Sequence, residues 1–153
     1  MKGVRFEPIS EHLIARILEI EKKSQTSPWS EQSFRNELGH AHGVFIVAFV
    51  GQEVRGFAGE WILADEAHIT TIAVDPDHRK QGLGRQLMEE LLSRAVERGA
   101  VCSTLEVRAG NEEAIKLYES LGYIRAGLRK GYYPDNKEDA VVMWLHDLGQ
   151  FGP

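Results

Sequence analysis

The chain has 153 residues, the usual size of one domain, with 42% hydrophobic and 27% charged, as in an ordinary globular protein. No apolar run approaches the ~20 residues needed to span a bilayer, and the N-terminal stretch MKGVRFEPISEH lacks the apolar segment of a signal peptide. A net charge of -5 argues against broad phosphate-backbone binding, so no direct nucleic-acid partner is expected, while a basic protein or peptide remains a compatible substrate.

One domain over residues 1–153 is expected, without repeats or linkers. A strand is predicted at Gly3–Glu7, then a helix with Ser10 as N-cap and Leu13, Ile14, Ile17 and Leu18 at helical spacing. Pro28-Trp29-Ser30 breaks that pattern. Ser30 is placed to cap a second helix, stapled by Trp29 and Phe34 and ending near Gly39. Val44–Val50 reads as a buried strand, Gly51-Gln52-Glu53 as a turn, and Val54–Leu63 as the antiparallel partner. A strand at His68–Val74 follows and stops at Asp75-Pro76-Asp77. Gly82–Arg98 is the clearest helix, with Leu83, Leu87, Met88, Leu91, Leu92, Ala95 and Val96 on one face and Gly99 where a C-terminal cap belongs. Then come a strand at Val101–Val107, a helix at Asn111–Leu121, and strands at Tyr123–Gly127 and Ala140–Leu145. The order β-α-α-β-β-β-α-β-α-β-β implies an α/β fold: a mixed sheet, antiparallel where tight turns join strands and parallel at the β-α-β unit, with helices on both faces.

The stretch from Ile72-Ala73-Val74 through Arg79-Lys80-Gln81-Gly82-Leu83-Gly84-Arg85 is a strand end, a basic glycine-rich loop and a helix start. Unpaired amides and the helix dipole favour an anion there. Gly82 and Gly84 keep side chains out of its way, and Arg79, Lys80 and Arg85 add positive charge. A pyrophosphate fits this chemistry; so does a plain helix start with solvated basic residues. The spacing is neither the Walker pattern nor the dinucleotide fingerprint. Arg79-x-x-Gly82-x-Gly84 resembles the central motif of the GNAT acetyltransferase superfamily, and the element order is similar across nearly the whole chain. The resemblance implies a GNAT-like fold with two splayed parallel strands and acetyl-CoA as co-substrate. It implies that Arg79, Lys80, Gln81, Gly82, Leu83, Gly84 and Arg85 hold the pyrophosphate, and that the backbone of Ile72, Ala73 and Val74 pairs with the pantetheine arm.

Acetyl transfer to an amine needs a base for the amine and a proton for the departing thiolate. An α-amine, with a pKa near ~7.7–8.0, needs mild help, whereas a lysine near ~10.4 needs much more. Glu106, near the end of a strand, can serve as base directly or through water, and Tyr118 on the next helix as acid. Taken singly, Glu106 also fits a salt-bridged strand residue and Tyr118 a core ring; their joint placement after the loop suggests chemistry.

Leu105-Glu106-Val107-Arg108, Asn111 and Leu117-Tyr118-Glu119-Ser120-Leu121-Gly122-Tyr123 are similar to the RimI branch of the superfamily, as are Pro28-Trp29-Ser30 and Tyr132-Tyr133-Pro134. That branch acetylates the N-terminal alanine of a small-subunit ribosomal protein. The resemblance implies Glu106 as proton acceptor, Tyr118 as donor and Asn111 as a coenzyme A contact. It further implies Trp29, Tyr132 and Tyr133 on peptide-binding loops, and a basic ribosomal protein as partner. Small-amine or lysine acetylation, and a noncatalytic acetyl-CoA sensor, are the alternatives.

No metal site is expected, because His40 and His42 lack acidic or cysteine partners at ligand spacing. The lone Cys102 reads as a buried inert thiol, and its inability to form an internal disulfide suits the cytoplasm. Asp135–Asp139 reads as a solvated loop able to attract a basic peptide.

Overall fold

The computed structural model describes residues 3–152. Its elements follow the expected order: β1 (Val4–Pro8), α1 (Ile14–Ser24), α2 (Glu31–Arg35), β2 (Gly43–Val50), β3 (Glu53–Leu63), β4 (Glu66–Val74), α3 (Leu83–Glu97), β5 (Cys102–Arg108), α4 (Glu112–Ser120), β6 (Ile124–Arg129) and β7 (Ala140–Leu145). Local chemistry accounts for several boundaries. The Ser30 hydroxyl accepts the Ser33 amide, and the Trp29 ring lies 5.1 Å from Phe34, which closes the staple across the start of α2. Asn111 caps α4 by accepting the Ala114 amide at 3.2 Å. Gly99 ends α3 in the left-handed region at φ 93.

Boundaries of β1, β4 and β6 shift by one or two residues from the sequence expectation, and two others differ for a local reason. Ser10 precedes a single turn at Glu11–Leu13, but its hydroxyl caps no amide and pairs instead with the His12 ring. The helix expected to reach Gly39 stops at Arg35 and continues as turns, because Leu38 and His40 amides bond back only three residues, to Arg35 and Glu37.

One seven-stranded sheet has the order β1-β2-β3-β4-β5-β7-β6, so β7 inserts between β5 and β6. The β4–β5 pair is parallel and short: Glu66 faces Cys102, Ala67 faces Ser103, and His68 faces Thr104. Beyond that rung the strands continue to Val74 and Arg108 without pairing, which opens a crevice between them. On its other edge β4 skips a residue against β3: Gly59 faces Thr71 and Glu60 faces Ile69, leaving Thr70 as a bulge. Gly59 must be glycine here, since a Cβ would come within 2.9 Å of the Phe45 ring.

Two cores sandwich the sheet. Leu87, Met88, Leu91 and Leu92 of α3 pack on Ile46, Ala58, Ile69 and Leu105 on one face. Ile17 and Ile20 of α1, with Phe34 of α2, pack on Phe45, Val47 and Phe57 on the other. The α3 stripe is therefore what the helical period of its leucines demands. Cys102 is half-buried rather than buried, because it is the first residue of β5, at the end of the sheet; burial, with Glu66 and Asp65 nearby, pushes its thiol pKa up and disfavours the thiolate.

Candidate active site

A cavity of about 600 Å³ occupies the crevice where β4 and β5 part. Its floor includes Ile72, Ala73 and Val74 of β4. The carbonyls of Ile72 and Val74 accept from Gln25 (3.3 Å) and Ser24 (3.4 Å) of the segment ending α1, so the strand's unpaired edge faces the opening.

One end is the loop before α3. Asp75 anchors it: the carboxylate accepts from Arg16 at 2.6 Å and from the Asp77 amide at 3.1 Å. Burial pushes this carboxyl pKa up, but the Asp77 amide and the Arg16 guanidinium outweigh it and hold the group below the usual carboxylate range. Gly82 is the N-cap of α3 at φ 83, where L side chains are strained, and no side chain caps the helix. Arg79, Lys80, Gly82, Leu83, Gly84 and Arg85 all border the cavity; Gln81 does not. Leu83 borders it as the first residue of α3, since it is only 1% exposed and its side chain belongs to the core. Lys80 adopts φ 63, a conformation that costs a non-glycine residue about 1 kcal/mol. Arg79 and Lys80 form no ion pair among the described residues, whereas Arg85 is held by Ser120 (2.7 Å) and Glu89 (3.5 Å). The result is an uncapped helix start with open amides and two free cations, an arrangement suited to an anionic ligand.

Glu106 and Tyr118 both lie on the same cavity. Glu106 sits on β5 two residues before its end, with its side chain 14% exposed. A hydrogen bond to the His68 ring, opposed by burial and aided by His68 and Arg129, holds its carboxyl pKa below the ordinary value. Tyr118 is 6% exposed on α4 and packs edge-on against Tyr123 at 5.9 Å. Burial pushes its phenol pKa far up, so the hydroxyl stays protonated. Asn111 borders the cavity, but its carbonyl oxygen is already used as the cap of α4.

Trp29 and Tyr133 also line the cavity. Tyr132 does not: it is 44% exposed, edge-on to Tyr133 and under the Arg129 guanidinium. The 131–139 segment is less free than its composition suggested. Arg108 stacks 4.0 Å over the Tyr133 ring and pairs with Asp135 (3.1 Å) and Glu138 (3.2 Å), while Glu138 also accepts the Gly110 amide. These acids are therefore spent largely on Arg108 and serve to hold Tyr133 in place.

Three participants were given no role from the sequence. His68 reaches Glu106 at 3.0 Å. Arg108 latches the loop that carries Tyr133. Glu21 of α1 is 1% exposed on the cavity wall, where one oxygen accepts the Trp29 amide at 2.8 Å and the other has no partner. Glu21 thus pins the Trp29 backbone to α1. Only the alternation that places Glu106 and Arg108 on one face of β5 could have flagged Arg108 in advance.

Residues 14–123 match the profile of the Acetyltransferase (GNAT) family. The chain is 44% identical over 128 residues to the [ribosomal protein bS18]-alanine N-acetyltransferase of Escherichia coli, covering 82% of this chain and 86% of that protein. It is 40% identical over 120 residues to the N-alpha-acetyltransferase RimI of Mycobacterium tuberculosis, covering 76% of this chain and 74% of that one. The crystal structure of the E. coli ribosomal-protein-S18-alanine N-acetyltransferase superposes with a TM-score of 0.86 at 37% identity, over 93% of this chain and 92% of that chain.

Proposed function

The chain belongs to the GNAT acetyltransferase family and is an N-acetyltransferase; from that premise we propose that it carries the acetyl group of acetyl-CoA to the N-terminal α-amine of a protein, alanine of ribosomal protein bS18 being the acceptor its relatives suggest. The observation that carries the proposal is one cavity lined together by an anion-suited helix start, the aromatic residues Trp29 and Tyr133, and Glu106 and Tyr118.

The residues present suit coenzyme A. The pyrophosphate would take the amides after Gly82 together with Arg79 and Lys80, and the pantetheine amides would pair along the β4 edge at 72–74 that β5 leaves open, sharing or displacing the Gln25 and Ser24 side chains on its carbonyls. Gly84 has room for a Cβ, its nearest neighbours lying at 3.5 and 3.9 Å, so the protein's own packing does not demand glycine there. Gly82→Ala should cost about 1 kcal/mol of stability through its positive φ and weaken acetyl-CoA binding, whereas Gly84→Ala should leave the melting temperature unchanged. Thermal melts with and without acetyl-CoA check both.

In the reaction, the amine nitrogen attacks the thioester carbonyl, its proton passes to Glu106, and the thiolate leaves beside the Tyr118 hydroxyl. A carboxylate with a depressed pKa is a weak base, which suffices for an α-amine of ~7.7–8.0 but poorly serves a lysine of ~10.4. Because burial raises the phenol pKa, Tyr118 stabilises the leaving sulfur by hydrogen bonding as much as by full proton transfer. Much of the rate gain comes from holding two reactants in one cavity.

Two peptides test the acceptor: one beginning Ala-Arg, and its N-terminally blocked twin with an internal lysine. Coenzyme A release with the free N-terminus alone is the expected result. Equal turnover with both would replace this reading with lysine acetylation.

A further inference from the structure

We propose that His68 is a positioning residue for the transfer, holding one oxygen of Glu106 so that the other is presented, ionised, to the incoming amine. The inference rests on the reading of Glu106 as proton acceptor. Its ground is where the sheet opens. His68 and Thr104 form the last rung of the β4–β5 ladder. Ala67 and Ile69 point into the α3-side core, so His68 points to the opposite face. Glu106 is two residues beyond Thr104 and shares that face. The imidazole therefore spans the strands where backbone pairing ends, with Nε2 at 3.0 Å from Oε1.

The contact differs from an ordinary surface pair. The Glu106 side chain is 14% exposed and borders the cavity, whereas His68 is 40% exposed and stands outside the cavity wall. Substrate thus meets the carboxylate, while the ring works from behind it. With Nε2–H donating, Oε1 is occupied and Oε2 remains to accept the amine proton. Glu106 is faced by His68 from β4, Arg129 from β6 and Tyr133 from the loop before β7. Tyr118 of α4 and Glu21 of α1 border the same cavity. Among these, the His68 hydrogen bond is the largest influence holding the Glu106 carboxyl pKa down. Removing it leaves burial to push that value up.

The test compares His68→Ala, His68→Gln and Glu106→Gln. The readouts are kcat and KM with the Ala-Arg peptide and a carbon-13 carboxyl titration of Glu106. His68→Ala should lower kcat about tenfold, within the worth of a hydrogen bond to a charged group, with unchanged acetyl-CoA affinity and an upward shift in the Glu106 midpoint. His68→Gln, which restores an N–H donor, should recover most of both. An unmoved midpoint and kcat in His68→Ala, with Glu106→Gln still inactive, would overturn the role of His68 alone. An active Glu106→Gln would overturn the reading of Glu106 and this inference with it.

Discussion

Glu106→Gln should lower kcat roughly a hundred- to ten-thousandfold, the range over which a positioned general base contributes. The substitution is close to isosteric. The amide oxygen can still accept from His68, so the contact across the opening of the sheet survives. What disappears is the basic oxygen and the negative charge that attracts a protonated amine. The side chain is largely buried, yet glutamine is neutral and the partner is retained, so the melting temperature should move little. Acetyl-CoA affinity should also hold, because the cofactor's anionic end would rest on the loop before α3. Steady-state kinetics beside a titration of acetyl-CoA binding separate these quantities. A drop in kcat of less than about threefold would remove Glu106 from the chemistry.

The second large effect concerns stability and arises far from the substrate. Glu60 on β3 is 0% exposed, and neither carboxyl oxygen has a partner. It lies on the α3 face of the sheet, in line with Ala58 and Ile62. Burial pushes its pKa up to about 8, against the pull of Arg98 and Arg94. The sign follows from proton counting. Between the ordinary value of 4.5 and about 8, the folded protein holds a proton that the unfolded chain has lost. The contribution is full below the lower value and declines as pH rises toward the upper one. The whole span corresponds to roughly 5 kcal/mol, or about 10–20 °C in melting temperature for a domain of this size. Wild-type protein should therefore melt well below its acid-side temperature at about pH 9, and Glu60→Gln should flatten most of that slope. Parallel slopes in the two proteins would refute the assignment. The tyrosines raised by burial titrate above this window and do not blur it. The consequence for activity is a tension: alkaline pH frees the substrate amine while ionising a carboxyl inside the core.

The loop before α3 was legible in the local spacing, except that Gln81 lies off the cavity. A strand end, the Arg79-x-x-Gly82-x-Gly84 loop and the leucine stripe of α3 are contiguous, so local spacing specifies both the elements and the amides they leave open. The caps at Ser30 and Gly99 were legible for the same reason: each acts on amides or carbonyls a few residues away. Glu106 and Tyr118 were legible through the resemblance, since periodicity places one on a strand and the other on a helix without bringing them together.

Tertiary structure decided what depends on distant partners. The sheet opens after His68 and Thr104 because β4 and β5 stop pairing, and no local pattern encodes where a parallel ladder ends. The insertion of β7 between β5 and β6 sets the path of the 131–139 segment, which Arg108 then fastens so that Tyr133, and not its neighbour Tyr132, reaches the cavity. Cys102 read as buried from strand alternation alone, yet it is the first residue of β5 and stays half-exposed. Glu60 is the plainest instance of the difference. A glutamate among apolar neighbours reads as the outward-facing member of a strand, and only the packing of α3 over that face removes it from water and raises its pKa. Sequence determined the elements and the anion-suited loop through interactions a few residues long; the register of the sheet and the layers above it determined which polar groups meet and which lose their solvent.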